Sequence, residues 1–395
     1  MKAATVVDLF CGVGGLTHGF ALEGFNVVAG IDSDESCRYA YEHNNHAQFI
    51  NARVEQISAA DIAELYPKGH IKILVGCAPC QPFSKYAQSR KSPDDKWRLL
   101  TAFADLIDEI HPDIVSMENV PNLKTFRGGA TYRAFVDRLR STYGDNVTDF
   151  IANCPEYGIP QQRKRLVLFA SRFGVIKLEE AAYKGRHRTV REVIGDLPPI
   201  EAGGVCPTDP LHKSSMLSEL NLRRIRQSRP GGTWRDWDPD LVAGCHMKDT
   251  GESYSSVYGR MKWSEPSPTI TTQCHGYGNG RFGHPEQDRA ISLREAALLQ
   301  TFPAEYQFVA PGEPVRFATV GRYIGNAVPV DLGCVIARSI KKHVEEQDIS
   351  SAEPEASKAV SRRTPASKGC SFKIGSSRLG YHDQQRAQQR PGSSE

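Results

Sequence analysis

Five short apolar runs, residues 5–10, 26–31, 71–75, 113–117 and 165–170, alternate with stretches of helical periodicity in the first half of the chain. Such alternation argues against a meander of hairpins. Parallel neighbours need long crossovers, and each crossover helix covers one face of the sheet. An α/β fold with a mostly parallel sheet is therefore expected over this half. Residues 97–110 carry a clear helical stripe, with Leu100, Phe103, Ala104, Ile107 and Ile110 on one face. From about Lys184 the texture changes: Gly, Pro, Arg and Trp become frequent, and turns such as Arg229-Pro230-Gly231-Gly232 interrupt the chain. A strong helix pattern resumes at Ser292, an expected N-cap whose capping box closes on Glu295. The spacing thus predicts a discontinuous main domain, residues 1–184 and 289–345, and a smaller irregular domain, residues 185–288. Beyond it, residues 346–395 hold almost no large apolar side chains and are expected to be disordered.

At 395 residues the chain has room for one large domain and a smaller one. No apolar stretch approaches the roughly 18 residues of a membrane span, so no membrane partner is expected. Asp8 interrupts the first apolar run and glycines follow it, which is unlike a secretory signal. The ten cysteines show no framework spacing, in keeping with a reducing cytoplasm. A net charge of +3 is too small to imply nucleic acid by itself. A nucleic-acid enzyme of this charge would gather its basic residues on one face. Two basic runs qualify as phosphate anchors or as solvated faces: Arg186, His187, Arg188 and Arg191, then Arg223, Arg224, Arg226 and Arg229.

Gly12, Gly14 and Gly15 directly follow the first predicted strand, where backbone must pass close to a ligand. The third glycine of a dinucleotide fingerprint would fall on Thr17, which argues against a nicotinamide or flavin enzyme. Asp32 ends the next strand, about 20 residues on, the usual place for a carboxylate that binds ribose hydroxyls. Cys80 stands between Pro79 and Pro82, just past the predicted strand 71–75. The prolines restrict the loop, and the carboxyl edge of an open α/β sheet is where chemistry is done. Cys77-Ala78-Pro79-Cys80 also has the spacing of a redox pair or half a zinc site. No second C-x-x-C or histidine pair lies at zinc spacing, and no metal is expected. Glu118 follows the strand at 113–117, presumed neighbour of the strand that leads to Cys80, so both groups could reach one substrate.

The segment Gly76-Cys77-Ala78-Pro79-Cys80-Gln81-Pro82-Phe83-Ser84 closely resembles the nucleophile loop of the DNA (cytosine-5) methyltransferases, compact bacterial type. Further motifs of that family occur in its usual order: Asp8 to Leu16, Glu118-Asn119-Val120, Gln161-Gln162-Arg163-Lys164-Arg165, Arg294-Glu295 with Leu299-Gln300-Thr301-Phe302-Pro303, and Gly325-Asn326-Ala327-Val328-Pro329. Together they span most of residues 5 to 333. The resemblance implies a Rossmann-like S-adenosylmethionine-dependent methyltransferase sheet with a smaller irregular target-recognition domain. It implies Cys80 as the nucleophile that adds to cytosine C6, Glu118 as the acid at N3, and Arg163 and Arg165 as active-site cations, Arg163 nearer the chemistry. For the cofactor it implies Phe10, Gly12, Gly14, Gly15, Leu16, Asp32, Pro79, Leu100, Asn326 and Val328. For duplex DNA, Gln81, Ser84, Arg223, Arg226 and Thr269 are the expected contacts, with the glycine-rich 275–281 segment as a DNA-facing loop.

One position departs from the family. The acidic residue expected after the third strand, near the adenine amino group, is absent from Asn51-Ala52-Arg53-Val54. Partners implied are double-stranded DNA, with the protein acting as a monomer, and a cognate restriction endonuclease that works separately. Two rivals stand beside this reading: an RNA methyltransferase on the same scaffold, and a DNA-binding repressor that has lost catalysis. Basic clusters in the second half favour DNA, and the intact Cys80, Glu118 and Arg163 favour an enzyme.

Overall fold

Along each predicted strand, neighbouring side chains fall into different cores. Val6, Ile73, Val75, Ile114, Val167 and Phe169 belong to one apolar cluster, while Val7, Leu74, Val115, Leu166 and Leu168 belong to another. That two-residue period is the signature of a sheet buried on both faces. The computed structural model describes residues 3–79, 98–248, 251 and 255–352. Among them, seven strands form one sheet, in the order β3-β2-β1-β4-β5-β8-β6. These are β1 (Ala4–Leu9), β2 (Asn26–Asp32), β3 (Gln48–Asn51), β4 (Ile71–Gly76), β5 (Ile114–Asn119), β6 (Val147–Asn153) and β8 (Lys164–Ser171). The first five pair in parallel, and β8 is antiparallel to both β5 and β6. The chain order reverses direction across the sheet between β1 and β4, the switch point where ligands bind in open α/β folds.

Helices cover both faces. On one side lie α3 (Ala59–Glu64), α4 (Arg98–Ile110) and α5 (Ala130–Tyr143), with Ile62, Phe103, Ile107, Phe135 and Leu139 in the core. On the other, α1 (Gly15–Leu22) and α2 (Arg38–Asn45) share a core with helices from the far end of the chain: α8 (Leu293–Leu299), α9 (Phe317–Asn326) and α10 (Val330–Ala352). Leu16 and Phe20 thus pack in one cluster with Phe302, Leu332, Ile336 and Ile340. The expected capping box is present: Ser292 Oγ accepts from Glu295 N–H, and Glu295 Oε2 accepts from Ser292 N–H.

Glu295 does more than cap. Both of its oxygens accept from the fully buried guanidinium of Arg289, each at 2.7 Å. Burial alone would push this carboxyl up, but Arg289 and the cap hold it below the usual range. The pair fixes the return of the chain from the irregular segment into α8.

Residues 185–288 contain little regular structure: α6 (Val190–Ile194), the small ladder of β9 (Val205–Cys206) with β10 (Asp209–Lys213), and α7 (Glu219–Gln227). A separate cluster of Leu217, Ile225, Trp234, Trp237, Leu241 and Tyr277 gives this region a core of its own. It is tied to the main sheet's edge by the parallel pairing of β7 (Gln161–Gln162) with β11 (Ser267–Pro268). Met1–Ser350 form one compact unit.

Two expectations need correction. Helix α10 continues to Ala352, so regular structure extends past the boundary expected at 345, while its last core residue is Val344. Arg224 is no phosphate anchor. It is buried, its Nε donates to Leu241 O at 2.8 Å, and its guanidinium lies over Trp237 and Tyr258. The tail beyond residue 352 lies outside the described residues. No described helix is long and apolar enough to cross a membrane.

Candidate active site

The loop after β1 is a tight turn of backbone. Phe10 has a φ of 59°, Gly12 of 50° and Gly14 of 88°, so three of five residues are left-handed. Phe10 has a Cβ and tolerates this only under local constraint; its ring meets Phe103 edge-on at 6.4 Å. Asp32, at the end of β2, holds the loop: Oδ2 accepts from Gly12 N–H and Oδ1 from Asp34 N–H, both at 2.9 Å. Burial pushes its carboxyl above the ordinary aspartate value. Each oxygen has one lone pair committed, leaving acceptor capacity for a ligand's hydroxyls. Val328 O packs directly against Gly15, where any Cβ would collide with it. The late motif therefore packs against the early one. Leu16, Leu100 and Val328 are buried, Pro79 is half-buried, and Asn326 is exposed at the end of α9.

These features fit a nucleoside-bearing ligand: an aromatic face at Phe10, open space over Gly12, and a carboxylate one strand away. In the 51–54 segment that lacks the family's acid, the Ala52 N–H donates to Asp32 O at 3.1 Å.

Below the loop, Asp8 is fully buried, with Thr17 Oγ1 donating to its Oδ2 at 2.7 Å. Burial raises its pKa to about 7, with Asp32 adding to the effect. A carboxyl held above its unfolded value makes the native state bind the extra proton. The stability contributed by Asp8 is therefore fully present below about pH 4 and is lost as pH rises through about 7, by roughly 4 kcal/mol at most. Asp8→Asn mimics the neutral form. Its stability relative to the natural chain should rise across that window and level off above it, as read by urea unfolding at several pH values. A pH-independent difference would contradict the assignment.

At the carboxyl ends of β4 and β5 the catalytic candidates meet. Glu118 is buried, inside β5 rather than just after it. Cys77 Sγ donates to Glu118 Oε2 at 2.7 Å, and Arg165 Nε stands 2.8 Å from Oε1. The Arg165 contact is an ion pair without hydrogen-bond alignment, so Oε1 keeps acceptor capacity. Asn119 Nδ2 donates to Ala78 O at 3.1 Å, pinning the chain just before Pro79 to β5. Cys80, Gln81 and Ser84 lie outside the described residues; the chain reaches Pro79 beside this cluster.

Arg165, not Arg163, contacts Glu118. Arg163 turns towards the irregular 185–288 region, its Nη1 donating to Gln161 Oε1 and Ile270 O, both at 3.3 Å. Among the expected DNA contacts, Arg223 and Arg226 are exposed and paired with Asp240 and Asp288. Thr269 Oγ1 donates to Gln162 O at 2.6 Å. The roles of Cys77, Asn119 and Gln300 at this site were not anticipated. Gln300 lay in a recognised motif, but only the folded chain brings it to Gln161.

The comparisons with known proteins agree with this geometry. The model of the C-5 cytosine-specific DNA methylase family matches residues 4–342. The type II methylase M.HgiDII of Herpetosiphon aurantiacus is 58% identical over 341 residues, 86% of this chain and 96% of that protein. DNA (cytosine-5)-methyltransferase 1A of Oryza sativa subsp. japonica is 26% identical over 86% of this chain, which spans only 28% of that longer protein. Among solved structures, S. pombe Dnmt2 methyltransferase shares the fold with a TM-score of 0.53 at 17% identity, over 86% of this chain and 99% of that one. With the glycine loop, Glu118 and the late motif assembled at one sheet edge, the chain belongs to the C-5 cytosine-specific DNA methylase family and is a DNA (cytosine-5)-methyltransferase.

Proposed function

We propose that the protein methylates C5 of a cytosine extruded from a specific duplex DNA sequence, with S-adenosylmethionine as methyl donor and a covalent Cys80–C6 intermediate. The observation that carries this reading is the Cys77–Glu118–Arg165 cluster, set one strand from the Asp32-braced glycine loop. When bound, S-adenosylmethionine supplies an electrophilic methyl group. Phe10, Gly12, Gly14, Gly15, Leu16, Asp32, Pro79, Leu100, Asn326 and Val328 would hold it.

Cytosine C5 is a poor nucleophile while the ring is aromatic. Addition of the Cys80 thiolate to C6 makes C4–C5 enamine-like and converts one hard step into two easier ones. Electron density then moves to N3, where Glu118 delivers a proton, while its second oxygen accepts from the exocyclic amine and disfavours thymine. Arg165 holds the carboxyl group in place. C5 then takes the methyl group, N3 returns its proton to Glu118, and a base removes the C5 proton as the thiolate is expelled, which restores the aromatic ring and frees the enzyme. The target atom is inaccessible in a stacked duplex, so the base must leave the helix, at a cost of a few kcal/mol.

Residues 185–288 serve as the target-recognition domain, and residues 1–184 with 289–345 as the catalytic one. Gln81, Ser84, Arg223, Arg226 and Thr269 are assigned to DNA. Similarity to a type II methylase supports a cytoplasmic bacterial protein paired with a separate restriction endonuclease; the protein is assigned to act on DNA as a monomer.

The test is methyl transfer from labelled S-adenosylmethionine by the purified chain, in parallel on unmethylated duplex DNA and on tRNA. Label is expected in DNA as 5-methylcytosine at one recurring sequence, read by bisulfite sequencing. Label in tRNA alone would replace DNA with RNA as the substrate, and no label in either would favour the repressor.

A further inference from the structure

Two buried glutamines join four parts of the chain that sequence keeps far apart. Gln161 and Gln300 are both fully buried, and Gln161 Nε2 donates to Gln300 Oε1 at 2.6 Å and to Leu299 O at 3.2 Å. Gln161 Oε1 accepts from Ile270 N–H at 2.9 Å and from Arg163 Nη1 at 3.3 Å. Gln300 Nε2 donates to Ile324 O at 2.8 Å and to Ala327 O at 3.0 Å. Every N–H of both carboxamides is thus used, and Gln161 Oε1 accepts twice. A fully satisfied polar network in a dry interior has one low-energy arrangement, and displacing any member leaves buried groups unpaired.

The ends of this network differ in kind. One is the recognition strand, where β11 pairs with β7 and leads straight to Thr269 and Ile270. Another is Arg163, whose Nη2 also reaches Ala327 O at 3.5 Å. The third is Ala327, between Asn326 and the Val328 carbonyl that closes the glycine loop. A shift of Ile270 on DNA engagement cannot occur without moving the Gln161 carboxamide, and through Gln300 it moves Ala327.

We infer that Gln161 and Gln300 are positioning residues that couple DNA engagement at the recognition strand to closure of the cofactor pocket. This rests on the methyltransferase reading above. The network predicts that duplex DNA and the cofactor product tighten each other's binding, and that the tightening passes through this pair. Linkage requires the effect to be reciprocal.

The experiment titrates S-adenosylhomocysteine calorimetrically into the full chain, alone and saturated with a short duplex carrying the sequence found by bisulfite mapping. The natural chain should bind it about tenfold or more tightly in the presence of DNA. Gln161→Met and Gln300→Met keep volume but remove the carboxamides. Each should bring that ratio to within about twofold, with affinity in the absence of DNA changed by less than about threefold. The double variant should lose no more than either single one, since the pair acts as a unit. Should one methionine variant fail to fold, the other, at the opposite end of the same hydrogen bond, is expected to uncouple likewise. Coupling retained in the folded variants, or absent from the natural chain, would overturn the inference. A natural chain with no methyl transfer to duplex DNA would instead sink the reading beneath it.

Discussion

Cys80→Ala is expected to abolish methyl transfer, lowering the single-turnover rate by on the order of 10⁴-fold or more, about 5 kcal/mol of barrier. Without the sulfur, C5 must attack from an aromatic ring, and nothing else in the cluster substitutes: Cys77 is engaged with Glu118. Cofactor binding should persist, because the glycine loop, Asp32 and Val328 do not depend on this side chain. A matching result comes from duplex containing 5-fluorocytosine at the target. Once the methyl group is added, fluorine blocks the elimination that would free the thiolate, so protein and DNA should migrate as one species on a denaturing gel. Peptide mapping should find the link on Cys80. A linkage elsewhere, or substantial turnover by the alanine variant, would refute the covalent mechanism.

Glu118→Gln is the second large effect. The amide preserves shape and hydrogen bonding but cannot deliver a proton to N3, so the chemical step should slow by about 10²–10⁴-fold. The change removes the charge that Arg165 faces at 2.8 Å, so a thermal melt must accompany the kinetics. A folded variant with a single-turnover rate within about tenfold of the natural chain would exclude Glu118 as the acid. The two variants should also separate on fluorinated duplex: the cysteine variant forms no adduct, whereas the glutamine variant forms it slowly.

Much of the sheet was legible because its strands are buried on both faces and read as continuous apolar runs. The five predicted strands match β1, β2, β4, β5 and β8 to within two residues at each end. Strand β6 escaped notice, since it is an edge strand whose Thr148, Asp149 and Phe150 are half-buried and whose Ile151 is exposed. The glycine loop and Asp32 were visible because their backbone geometry demands particular residue types. What could not be read was pairing across distance. Arg163 and Arg165 differ by only two positions, yet only the fold shows that Arg165 meets Glu118 and Arg163 meets Ile270. Arg224 looked like any basic residue in a cluster until its aromatic partners, Trp237 and Tyr258, came from elsewhere in the chain.

The collision of Val328 O with any side chain at position 15 has a temporal meaning. A polypeptide emerging from the ribosome carries all seven strands of the main sheet long before residue 328 exists to pack against the glycine loop. A growing chain therefore leaves that loop uncovered until its last helices fold back onto the first.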